Sequence, residues 1–259
     1  PTSSPSPTPT NTATATATNT PTATATNTST STPTPTATGS PTTFVSCNWQ
    51  YRKPITIFES QVTADLTNFP VLISLASDTD LATDAQDDGD DIVFTASDGT
   101  TQLDHEIETF DGTTGKLVAW IRIPNLSGSL NTNIYMYYGH ATTASQQDPA
   151  GVWTANYVGV WHLGEASNTT RLDSTSNNND VADTTSVAAA PGKVDGAADF
   201  VPTDYLSISD AAQTGLDLGT QFTLEAWVKG DEVTTNKVFL SKDGATPNAS
   251  YKLRFSSDQ

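Results

Sequence analysis

The first 43 residues contain no aspartate, glutamate, lysine or arginine, no aromatic ring and no large aliphatic side chain. With nothing to bury, such a stretch cannot offset a backbone ordering cost of about 1–2 kcal/mol per residue, so it is expected to be disordered. Its Thr, Pro, Ser, Ala and Asn repeats, such as Thr12-Ala-Thr-Ala-Thr-Ala-Thr18, fit an interdomain linker or an O-glycosylated stalk. Basic residues are scarce everywhere: 11 Lys and Arg stand against 29 Asp and Glu, for a net charge of -18. Phosphate backbones and anionic lipid need clustered cations, so nucleic acid is excluded as an expected partner. The single cysteine, Cys47, excludes an intrachain disulfide and any zinc site built on thiolates. No apolar run approaches the roughly 20 residues of a membrane span. The chain opens on Pro1, carries no signal peptide and stops at Gln259 just after a strand-like run, so it reads as a piece of a longer polypeptide.

From Phe44 onward, short apolar runs of period two are bounded by Gly, Asn, Asp and Pro, the pattern of strands and turns. Ile55 and Ile57 alternate with polar neighbours, as do Val71, Ile73 and Leu75. Residues 92–95 and 103–107 flank Ser97-Asp98-Gly99-Thr100, where Gly99 can supply the positive φ of a tight hairpin. Residues 117–123 and 134–138 are apolar on both faces and are expected in mid-sheet. The best helix candidate, residues 81–85, is too short to stand alone. The expected class is all-β, with tandem antiparallel β-sandwich domains behind the tail. A boundary is expected between Asp148 and Tyr157, giving a tail at 1–43, one domain at 44–150 and a second at 151–259. The second series of strands is expected at 157–163, 198–201, 205–208, 222–228 and 238–240.

The blocks Trp49-Gln-Tyr-Arg-Lys-Pro-Ile-Thr-Ile57, Asp90-Asp-Ile-Val-Phe94, His105-Glu-Ile-Glu108, Ala119-Trp-Ile-Arg-Ile-Pro124 and Ile134-Tyr-Met-Tyr-Tyr-Gly139 resemble, in order and spacing, the bacterial domain-of-unknown-function family DUF2341. The later blocks Leu172-Asp-Ser-Thr-Ser-Asn-Asn-Asn-Asp180, Gly196-Ala-Ala-Asp-Phe200 and Phe222-Thr-Leu-Glu-Ala-Trp-Val-Lys229 resemble the start of a laminin-G-like, concanavalin-A-like jelly roll. That second resemblance implies more strands than the segment contains, hence an incomplete domain. It also implies calcium in the loop carrying Asp173, Asn179 and Asp180, whose carboxylate and amide oxygens are hard ligands; a polar turn held by Asx hydrogen bonds is the alternative.

Glu106 and Glu108 stand two apart on an expected strand and so share a face, a spacing that a pair of glycosidase carboxylates could use. Paired acids on a solvated strand face are the simpler expectation. His105, His140 and His162 form no His-x-x-x-His pair, and no Gly-x-Ser-x-Gly or phosphate loop is present, so no enzyme is expected. The acidic run from Asp84 to Asp91 departs from an EF-hand at its later positions and is expected as a solvated loop. Trp49, Trp120 and Trp227 lie within apolar strand patterns and are expected in the core. Trp153, Tyr157 and Trp161 crowd the domain junction, where they could stack on sugar rings or cement the two domains. The functional expectation is a non-catalytic, secreted or cell-surface binding or adhesion fragment that recognises a polysaccharide or glycoconjugate. The alternatives are a structural spacer and an accessory module of a secreted glycoside hydrolase.

Overall fold

The computed structural model describes residues 49–154, 156–230, 237–242 and 251–255; the tail and Cys47 lie outside the described residues. Among the described residues the architecture is all-β, with antiparallel sheets, two α-helical segments of six and four residues and one 3-10 turn at Glu59–Gln61. No described helix is long and apolar enough to cross a membrane.

The first seven strands are β1 (Tyr51–Ile57), β2 (Leu66–Leu75), β3 (Val93–Ala96), β4 (Gln102–Leu103), β5 (His105–Asp111), β6 (Lys116–Leu126) and β7 (Thr132–Tyr138). They form a four-stranded sheet in the order β1-β7-β3-β4 and a three-stranded sheet in the order β2-β6-β5. Pro54 and Pro70, which cannot donate to a ladder, fall on the edge strands β1 and β2. The two apolar runs expected in mid-sheet are the central strands β6 and β7. Their inward residues Leu117, Ala119, Ile121, Ile123, Ile134 and Met136 meet Val71, Ile73, Phe94 and Leu103 in one core between the sheets. The outer face of β7 is also covered, where Tyr137 joins Trp49 and Val93 in a second cluster.

The β3–β4 hairpin turns at Gly99, which has φ 70°. Asp98 holds the turn by accepting from Thr100 N, Thr101 N and Thr101 Oγ1. The short helix α1 (Thr79–Asp84) exists despite its length because Asp78 caps it, accepting from Asp80 N and Leu81 N, and because Leu81 is 0% exposed in the core.

The outer side of the sheet β2-β6-β5 is covered over β5 and β6. A second helical turn, α2 (Pro149–Val152), is capped by Asp148, and Val152 and Trp153 are buried. From there the chain runs over β5 and β6 and then makes three separate pairs: β8 (Ala182–Asp183) with β11 (Leu206–Ser207), β9 (Ala188–Pro191) with β10 (Gly196–Asp199), and β12 (Lys237–Ser241) with β13 (Lys252–Phe255).

Two expected strands are absent. Residues 157–163 spend their backbone on a loop instead of a ladder: Val160 N donates to Asp173 Oδ1, Val160 O accepts from Ser174 N, and Leu163 takes φ 61°. Residues 222–228 have no ladder partner among the described residues, and Trp227, expected in the core, is 64% exposed. A period-two apolar pattern makes a strand only where a neighbour takes up its backbone groups and covers its face.

Candidate functional site

The β5–β6 pairing carries a bulge between Ile107 and Thr109: Glu106 faces Trp120 and Ile107 faces Ala119, but the next partner of Val118 is Thr109. Glu108 is the extra residue. A bulge re-aims the side chains around it, and here Glu106, Glu108 and Thr109 all reach the covering segment. They are not on a solvated strand face, as the sequence pattern led us to expect. The Glu106 and Glu108 side chains are 11% and 6% exposed.

His162, from the covering segment, lies between them. Its Nε2 is 3.2 Å from Glu106 Oε2 and its Nδ1 is 3.3 Å from Glu108 Oε2. Trp153 Nε1 donates to Glu106 Oε2 at 2.6 Å, Ser174 Oγ donates to Glu106 Oε1 at 2.6 Å, and Trp120 Nε1 donates to Glu108 Oε2 at 2.9 Å. The rings pack as a group: Trp120 and Trp153 have centroids 5.2 Å apart, and the imidazole stacks on Trp120 at 6.1 Å with 25° between planes. Because the two carboxylates approach opposite edges of the ring, the three groups do not converge on a point where a cation could sit. Among the described residues no cluster of His, Cys, Asp and Glu has metal-binding geometry.

Burial opposes charge on all three groups, and their partners decide the outcome. For His162 burial pulls the pKa down, but the hydrogen bond and charge of Glu106, with the charges of Glu108 and Glu165, raise it above the ordinary value. For Glu106 burial pushes up, but the hydrogen bond and charge of His162 and the donors Ser174 and Trp153 bring it below the ordinary value. Glu108 stays raised because burial outweighs the help of His162 and Trp120, and Asp195 and Glu106 add repulsion. At the centre of the site His162 and Glu106 thus favour each other's charged forms, while burial holds back the ionisation of Glu108 on the far side of the ring.

Two further contacts fasten the cover. Arg122 of β6 donates from Nε to Gly151 O at 2.6 Å and from Nη1 to Asn68 Oδ1 at 2.8 Å, and it pairs with Asp104. Asp195, in the turn between β9 and β10, accepts from Thr109 Oγ1 and pairs with Lys116.

The junction aromatics are found in this cover. Trp153 is buried and spent on Glu106; Tyr157 packs edge-on against it at 5.1 Å; Trp161 Nε1 donates to Asn179 O at 2.9 Å. The loop carrying Asp173, Asn179 and Asp180 is ordered by its own side chains. Asp173 Oδ1 accepts from Val160 N and Thr175 N, and Oδ2 accepts from Thr175 Oγ1 and Asn179 N, so each oxygen has two donors. Asn179 ties the loop to Val158 O, Thr214 O and Thr214 N, and Asp180 Oδ1 accepts from Asp173 N. In the acidic run 84–91, Asp91 is buried, accepting from Gln86 N, Gly139 N and His140 N, which closes that loop on the end of β7.

His162 was not recognisable as a site residue. The sequence shows it with Glu165 three residues on but no further ligand nearby, and only the bulge and the folding-back of residues 148–195 bring it to glutamates more than 50 positions earlier. A Glu-x-Glu strand motif followed by a tryptophan-rich junction was the one available signal.

Residues 88–186 match a family described as Domain of unknown function (DUF2341), and that stretch is similar to it. The match begins before β3 and ends beyond Ser174, so it contains both the bulged strand and Trp153, His162 and Ser174, which close over it, but not Asp195. No curated protein and no solved structure matches the chain.

Proposed function

We propose that the chain is a non-catalytic structural and presentation module of an extracellular or cell-surface protein, in which the sandwich and the section after it behave as one rigid unit. The observation that carries this reading is His162, held at both ring edges by carboxylates of the sheet it covers. Catalysis by this pair would need a carboxylate open to substrate, whereas Glu106 has both oxygens engaged and Glu108 is closed over by Trp120 and His162. The threonine- and proline-rich tail suits a stalk on which such a unit is displayed. The test is ¹⁵N relaxation on the full chain at neutral pH: sandwich and cover should share one correlation time, and two separate times would sink the proposal.

Polysaccharide recognition is the second reading, and it is favoured by aromatics that the junction does not use. Tyr205, Phe222 and Trp227 are exposed, and Lys193 Nζ lies 5.7 Å from the Trp227 ring centroid. Exposed indole and phenol rings offer flat apolar faces to sugars, and the lysine adds a cation for an acidic one. A polysaccharide pull-down with calcium present, repeated with Trp227→Ala, tests this. Binding that the variant loses supports it; uniform absence of binding counts against it.

A further inference from the structure

The cover is fastened to the sheet mainly by ionisable groups, and the ring at its centre has carboxylates on every charged side. From β5 it faces Glu106 and Glu108; from its own segment Glu165 bears on it; from the β9–β10 turn Asp195 bears on Glu108 and is itself paired with Lys116 of β6. The remaining neighbours are the neutral indoles of Trp120 and Trp153. We propose that His162, clasped between Glu106 and Glu108, is a proton-operated latch that closes residues 156–187 onto the sheet near neutral pH and releases them in alkali.

The latch rests on the reading of the junction as a rigid coupling, and it adds the condition under which that coupling fails. When the imidazolium loses its proton, one ring nitrogen turns from donor to acceptor while still facing a carboxylate, and two buried carboxyl groups are left with no cation between them. The raised pKa of His162 means that its contribution to closure is complete below the ordinary value of 6.5 and is lost as pH rises through the folded value. The lowered pKa of Glu106 gives a contribution that is complete above the ordinary value of 4.5 and is lost as pH falls through the folded value. Glu108 acts in the alkaline sense too, since its raised value means that closure weakens as it ionises.

The experiment is amide hydrogen exchange on the full chain from about pH 5 to about pH 9, corrected for base catalysis, together with an NMR titration of the His162 ring. His162 should titrate above 6.5, and the opening of the cover amides should rise by up to about tenfold per pH unit in the window above that value. His162→Gln should flatten that rise and leave the amides of β3 and β7 unchanged. A His162 midpoint at or below 6.5, or cover protection that is flat across the range in the unaltered chain, overturns the latch. Independent tumbling of cover and sandwich already at pH 6 would defeat the coupling and the latch together; one-body tumbling with flat protection would defeat the latch alone.

Discussion

Trp153 Nε1 donates to Glu106 Oε2 at 2.6 Å, joining the first residue after α2 to a strand 47 positions earlier. The residue lies beyond residue 150, yet its indole returns to cover the sandwich. Glu106 is therefore the hub of the junction, with Trp153, His162 and Ser174 all directed at one carboxylate.

Removing that hub should be costly. Glu106→Ala strands the His162 imidazolium and the Trp153 N–H without their acceptor, and breaking one side of a buried charged pair typically costs about 3–5 kcal/mol. Glu106→Gln keeps the shape, with the Ser174 hydroxyl able to accept from the new amide, but removes the charge that His162 faces, for a loss of about 1–3 kcal/mol. Urea denaturation of the full chain should rank the three proteins in that order, and an alanine variant as stable as the parent would contradict it.

The sandwich core was legible because each of its strands has a neighbour. Residues 117–121 are apolar on both faces, as a mid-sheet strand should be, and Gly99 marks its hairpin with a residue that tolerates positive φ. The site was not legible, because a bulge adds one unpaired residue without changing the local pattern. Nothing in His-Glu-Ile-Glu-Thr says that Glu108 lacks a cross-strand partner. Trp227 failed for the complementary reason: its surroundings have a strand-like period, but the described residues supply no strand beside it.

Cutting the chain at residue 150 should therefore destabilise the part that remains. The sequence pattern alone leads to the expectation that 44–150 folds by itself, but the cut removes Trp153, His162 and Ser174 and leaves Glu106, Glu108 and Trp120 uncovered. Hydrogen bonds to a charged group contribute about 1.5–3 kcal/mol each, so residues 44–195 should melt several degrees above 44–150. Equal melting temperatures would show that the cover adds nothing.

The Asp173 loop has an ordering mechanism of its own. A carboxylate offers about four lone-pair sites, and Val160 N, Thr175 N, Thr175 Oγ1 and Asn179 N take all four. Asp173→Ala should lower stability by at least about 3 kcal/mol. A calcium ion at this loop would have to displace those donors. Calcium at 100 times its dissociation constant would stabilise by about 2.7 kcal/mol, so melting in calcium and in chelator separates the two cases: no shift is expected, and a rise of several degrees would establish a metal site.

The β3–β4 turn gives a local pH readout. Hydrogen bonds from the Thr101 side chain and the Thr101 and Thr100 amides bring Asp98 from 3.8 to about 2. A depressed carboxylate supports the folded turn above its unfolded value and withdraws that support as pH falls through the folded one. The amide shifts of Thr100 and Thr101 should then titrate with a midpoint near 2, and a midpoint near 3.8 would mean that the hydrogen bonds are not kept in solution.

His105 predicts the acid behaviour of the sandwich core. The residue is fully buried, its ring meets Phe94 edge-on at 5.4 Å, and Nδ1 lies 3.4 Å from Leu103 O. Burial lowers its pKa from 6.5, and the hydrogen bonds to Leu103 and Ile92 and the charges of Asp104 and Asp148 only partly oppose this. The folded state therefore binds its proton less readily than the unfolded state. Above 6.5 the residue carries no pH-dependent penalty, and as pH falls from 6.5 toward the lower folded value the unfolded chain gains a proton that the core refuses. Stability should decline over that interval by up to about 1.4 kcal/mol per pH unit. His105→Phe, which keeps a ring against Phe94 and has nothing to protonate, should remove this part of the acid limb while the alkaline limb set by His162 persists. Denaturant midpoints measured between about pH 4.5 and about pH 7 on both proteins decide the matter, since parallel curves would clear His105 of any part in acid unfolding.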